Sequence, residues 1–136
     1  MLTGSPEEVI PLAEQAIRLS PRDPRIGYFY IRIGHAHLLQ SCPDEAIPWL
    51  ERARGAIPEL PWIHLLLASA YALKGETERA VAELSEAQSL SRGGRFSSIA
   101  QLKAFSAGYG GMTPKIRALA DATYIVGLRK AGMSEE

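Results

Sequence analysis

The chain repeats itself, and that repetition constrains its fold more than any other feature. Residues 44–58, DEAIPWLERARGAIP, and 78–92, ERAVAELSEAQSLSR, differ in wording but place Ala46, Leu50 and Ala53 against Ala80, Leu84 and Ala87 at a constant step of 34. Upstream, Ile33 and Leu67, Gly34 and Ala68, Ala36 and Ala70, and His37 and Tyr71 keep the same step. Two full units follow, 27–58 and 61–92. Each divides into two segments whose apolar residues recur at three- and four-residue intervals, the spacing of one helix face. GYFYIRIGHAHLLQ leads to PDEAIPWLERARGAI, and PWIHLLLASAYALKG leads to ETERAVAELSEAQSL. A unit of this size cannot bury its apolar face alone, so successive units must stack. The small residues at fixed places let helix axes approach closely.

A half unit precedes them. SPEEVIPLAEQAIRLSP, residues 5–21, reads as a second helix alone, with Val9, Ala13, Ala16 and Pro21 at the matching places. Ser5 and Glu8 form a capping box, and Pro6 suits the first helical position. Val9 lies 37 residues before Ala46, so three residues are inserted near 22–26. Starting on a second helix is what the tail of a longer array would do. Pro11 and Pro48 occupy the same repeat position inside their helices. On a wet outer face each is expected to bend its helix rather than break it.

The repeat region covers residues 1–95, and residues 96–136 form a C-terminal helical cap. FSSIAQLKAFSAG reads as a helix with Ser97 or Ser98 as its cap, RGGR as a turn and GYGGM as a linker. TPKIRALADATYIVGLRKAG reads as one longer helix, capped by Thr113, opened by Pro114 and ended by Gly132. Its stripe of Ile116, Leu119, Ala120, Thr123, Tyr124 and Leu128 would cover the last exposed face of the stack.

Charge and motif content narrow the chemistry. Fifteen basic and fifteen acidic side chains in 136 residues balance to zero, which argues against a nucleic-acid partner. The one cysteine, Cys42, allows no internal disulfide and no cysteine-based zinc site, and fits a cytoplasmic setting. No apolar run reaches a membrane span, and the first residues lack the pattern of a signal peptide. His35 and His37 point to different helix faces and cannot share a metal as an i, i+4 pair does. No nucleophile elbow, phosphate loop or paired-cysteine motif is present. The expectation is therefore no catalytic residue, no metal and no cofactor.

The 34-residue pattern resembles the tetratricopeptide repeat: small residues at Gly34 and Ala68, the aromatic place filled by His37 and Tyr71, alanines at Ala46, Ala53, Ala80 and Ala87, and Pro58 at a unit end. It departs from the family at the usual tryptophan, where Tyr30 and His64 stand. The resemblance implies an all-α solenoid of helix hairpins in a right-handed superhelix, whose first helices line a groove for a protein or peptide segment. By position that groove would present Tyr28, Ile31, Arg32, His35, Trp62, Leu65, Leu66 and Ser69. Only Arg32 is of the kind that grips a terminal carboxylate in this family, so an apolar ligand, such as an amphipathic helix, suits the groove better. The C-terminal helix could itself cover part of it. The tail from RFSSIAQLKA to GLRKAGMSEE also resembles the C-terminus of bacterial class III adenylate cyclases that carry such repeats behind their catalytic domain. The resemblances together imply a protein–protein interaction module, scaffolding or regulatory, at the end of a larger bacterial protein. Self-association into a homodimer, through a face left bare on the half unit, is the alternative. A small helical enzyme is a weaker one, for want of convergent ionisable groups.

Overall fold

A computed structural model describes residues 6–91, 98–100, 102 and 114–135. The fold is all-α. Its helices are α1 (Pro6–Leu19), α2 (Ile26–Leu39), α3 (Pro43–Ala56), α4 (Pro61–Lys74), α5 (Thr77–Leu90), α6 (Pro114–Ala122) and α7 (Tyr124–Ala131). Among the described residues the extended structure is one isolated parallel bridge, between Ser98 and Ser134. The expected Ser5 and Thr113 caps, the RGGR turn, the GYGGM linker and most of the helix over FSSIAQLKAFSAG lie outside the described residues.

The repeat is legible bond by bond. Where α2 hands over to α3, the Ser41 amide donates to Leu38 O (3.0 Å), Cys42 to His37 O (2.9 Å) and Ala46 to Cys42 O (3.0 Å). Thirty-four residues on, Gly75 donates to Ala72 O (3.1 Å), Glu76 to Tyr71 O (2.8 Å) and Ala80 to Glu76 O (3.1 Å). Both turns need a left-handed residue to close the helix. Ser41 takes it at φ 62° and Gly75 at φ 95°. A side chain in that region costs about 1 kcal/mol or more, and glycine escapes most of the penalty. Ser41→Gly should therefore raise stability by about 0.5–1 kcal/mol in urea titration, and Gly75→Ser should lower it by a similar amount.

Burial follows the same step. Ala46 and Ala80, Ala53 and Ala87, Ile33 and Leu67, and Ile31 and Leu65 are all fully enclosed. At Gly34 a Cβ would stand 2.6 Å from Leu50 Cγ, so α2 and α3 touch there almost backbone to side chain. Paired contacts also recur with altered chemistry. His37 Nδ1 lies 3.3 Å from Glu45 Oε2, and the counterpart residues are Tyr71 and Arg79, the guanidinium 5.7 Å from the ring centre. Tyr30 packs on Trp49 at 6.0 Å between ring centres, and the counterpart pair is His64 and Glu83, hydrogen-bonded at 2.7 Å. Each departure from the repeat pattern is thus matched by a change in the residue it touches.

Pro11 and Pro48 are exposed, and α1 and α3 run through them without a break, because water can satisfy the carbonyls their rings release. The single long terminal helix expected from the sequence is instead two. Thr123 separates α6 from α7, and its Oγ1 donates to Leu119 O at 2.7 Å, four residues back. Such back-bonding competes with the backbone ladder and bends a helix. Gly132, at φ 108°, ends α7 as expected. Among the described residues no helix is long and apolar enough to cross a membrane.

Candidate partner-binding groove

The eight groove residues divide into two sets. Tyr28 and Arg32 are exposed on α2, Trp62 is 36% exposed at the start of α4, and His35 is half-buried. Ile31, Leu65, Leu66 and Ser69 are fully enclosed. The cause on α4 is the terminal helix. Residues 62, 65, 66 and 69 share one helix face by spacing, and Ser69 Oγ on that face donates to Tyr124 O at 2.8 Å. Gly127 crosses at the same point. A Cβ there would meet Ser69 Oγ at 2.1 Å and Ser69 O at 2.5 Å. Tyr124, Ile125, Leu128 and Ala131 then join Leu65 and Leu66 in one apolar core.

The position of α7 differs from that of a further stacked unit. Of the hairpin before it, α4 meets mainly the second helix, α3, and barely touches α2. By contrast α7 lies mainly along α4, the first helix of the hairpin before it, and only partly against α5. α6 reaches across to α2, where Leu119 and Ala120 cover Leu39. The aromatic rim at the N-terminal ends of α2 and α4 is left open.

His35 marks the boundary between the filled and open parts. Its ring meets Trp62 edge-on at 5.5 Å and Tyr124 at 6.2 Å. Burial pushes the imidazole down to about 4 from the ordinary 6.5. Above pH 6.5 the ring is neutral in folded and unfolded chains alike. Between pH 6.5 and 4 only the unfolded chain takes the proton, so stability falls as the solution is acidified, by about 1–2 kcal/mol for a half-buried ring. The difference in stability between wild type and His35→Gln should therefore vary over that window and level off below it. A constant difference from pH 7 to 4 would show that the ring stays solvated.

On the opposite side, α3, α4 and α5 form an open polar pocket of about 290 Å³ lined by Glu51, Arg54, Tyr71, Arg79, Ala82 and Glu83. Tyr71 donates to Glu51 Oε2 at 2.6 Å, and burial together with that carboxylate pushes the phenol up to about 12. Arg54 donates to Glu83 Oε2. Burial opposes the Arg54 charge, but the Glu83 carboxylate outweighs it and holds the guanidinium above its ordinary range. His64 Nε2 donates to Pro58 O at 2.7 Å, and Nδ1 lies 2.7 Å from Glu83 Oε1. Two acids and two guanidinia lie around one cavity, with Glu83 spent on Arg54 and His64 and Glu51 on Tyr71, so the cluster ties three helices together. Taken singly, His64 is a lone histidine. The signal that reveals the cluster is the joint change of Tyr30 to His64 and Trp49 to Glu83 across the repeat.

No family model matches the chain, and no curated protein matches it. Among the described residues no group of three or more histidine, cysteine, aspartate or glutamate side chains could hold a metal ion.

Proposed function

We propose that the chain is a protein–protein interaction module of the tetratricopeptide-repeat kind, with its partner-binding surface on the inner face formed by α2 and α4. The observation that carries this reading is the 34-residue step kept in the turn hydrogen bonds, in the buried small residues and in the paired contacts of the two hairpins. The surface offered to a partner is the open rim, Tyr28, Arg32 and Trp62, with the edge of His35. Aromatic and arginine side chains of this kind concentrate binding energy. The resemblance of the tail to cyclase C-termini supports placing the module behind a catalytic domain in a larger bacterial protein.

A partner purified after capture on the chain should lose about ten- to thirty-fold in affinity with Trp62→Ala, the range of an aromatic anchor. Because net charge is zero, a rise from low to moderate salt should change the affinity little. Unchanged binding by Trp62→Ala, together with loss of binding in added salt, would move the surface to the charged outer face or to Arg129 and Lys130. Arg32→Ala in the same titration separates the aromatic contribution from the charged one.

Self-association has one observation in its favour. Leu12 and Leu19, seven residues apart on α1 and so on one face, are 51% and 76% exposed. Sedimentation of the chain over a range of concentrations tests it, and Leu12→Ser/Leu19→Ser should abolish any dimer found.

A further inference from the structure

The face of α4 that carries Leu65, Leu66 and Ser69 already holds a helix, and that helix leaves one buried polar group unpaired. α7 has eight residues, too few to be helical on its own in water, so its form depends on the seat. The Tyr124 side chain is buried, yet its hydroxyl has no hydrogen-bond partner among the described residues. A buried hydroxyl left unpaired weakens the contact that buries it. The Tyr124 ring also meets the His35 ring edge-on at 6.2 Å. Other parts of the seat fit closely. Gly127 lets the helix backbone reach Ser69, and Leu128 and Ala131 enter the core. The groove is therefore shaped for a helix with a small residue at the crossing and apolar residues on either side, and phenylalanine would suit the first apolar place better than the tyrosine that fills it.

We propose that α7 is a built-in, displaceable occupant, and that a partner's amphipathic helix of this pattern binds by exchanging with it in the seat along α4. The proposal rests on the interaction-module reading. It adds an autoinhibitory contact, because the partner meets an open groove only in the fraction of molecules whose α7 is out. Apparent affinity is reduced by that fraction. Trp62 and Tyr28, at the open rim, would touch the incoming helix before α7 has left.

The probe is a fluorescein-labelled synthetic peptide spanning residues 114–135 and carrying Tyr124→Phe, titrated by anisotropy against full-length chains. Gly127→Leu drives a side chain into the Ser69 backbone and unseats α7. That chain should bind the peptide at least ten-fold more tightly than wild type, while the amides of α2 to α5 keep their hydrogen-exchange protection. Tyr124→Phe in the full chain removes the unpaired hydroxyl and seats α7 better, so it should bind the peptide several-fold more weakly than wild type. This second variant decides the matter if Gly127→Leu fails to fold. Equal affinities of wild type and Tyr124→Phe would overturn the exchange, as would no gain by a folded Gly127→Leu. A wild-type dimer that Gly127→Leu abolishes would assign the seat to α7 of a second copy and also overturn it. A captured partner that binds wild type and Gly127→Leu equally, yet loses affinity with Trp62→Ala, would leave the interaction module standing and remove only the exchange.

Discussion

Ala53→Leu should cost about 3 kcal/mol and lower the melting temperature by about 10 °C, with Ala87→Leu close behind. Both alanines are fully enclosed, and both stand where the second helix of a hairpin packs into the core. Three added carbons have no cavity to enter there, so the helix must move off its neighbour or the leucine must leave its preferred rotamers. Replacing the exposed Gly55 by alanine is the contrasting case, since a Cβ there meets nothing within 4 Å. Calorimetry of the three variants checks the ranking. Melting temperatures unchanged for both leucine variants would remove Ala53 and Ala87 from the helix contacts and with them the packing argument for the repeat.

Glu83→Ala should cost about 2–3 kcal/mol, because it strands two partners at once. Arg54 loses its counter-charge, and His64, nearly enclosed, keeps only its bond to Pro58 O. The partial exposure of Arg54 keeps the loss below that of a fully buried pair. The first unit offers a repair. His64→Tyr with Glu83→Trp copies the Tyr30–Trp49 pair, and the double variant should be more stable than the sum of its single changes by about 1 kcal/mol or more. Urea denaturation of the four proteins in the cycle measures this. Strict additivity would mean that residues 64 and 83 do not act as a pair.

These two cases show what the sequence makes legible and what it does not. The hairpins are legible because helix packing demands small residues at crossings, and a small residue is visible in the letters, as at Gly34, Ala53 and Ala87. Pro11 and Pro48 are legible because solvent exposure at that repeat position removes most of their penalty. The polar cluster is not visible one slot at a time. It depends on Arg54, His64 and Glu83 from three helices, and only a comparison of pairs between units reveals it. The break at Thr123 turns on where one hydroxyl hydrogen points, which periodicity does not encode. The groove is half legible. Helix spacing puts Trp62, Leu65, Leu66 and Ser69 on one face of α4, but whether Leu65, Leu66 and Ser69 meet solvent or α7 depends on a contact between segments far apart in the chain. Gly127, the residue that permits that contact, reads in the sequence as one more helical position.

That distant contact also sets a timetable. The two hairpins close over short stretches of chain and can form as soon as they are made. Joining Ser69 to Tyr124 closes a loop of 55 residues, with an entropic cost of roughly 3–4 kcal/mol by logarithmic scaling. It is the natural last step. On a ribosome adding roughly 5–20 residues per second, α4 is complete at Lys74 and must wait for Tyr124. For roughly 3–10 s the nascent chain thus carries Leu65 and Leu66 on an uncovered face. In that interval any apolar helix nearby, from a chaperone or from the next chain on the same message, meets α4 before its own α7 has been made.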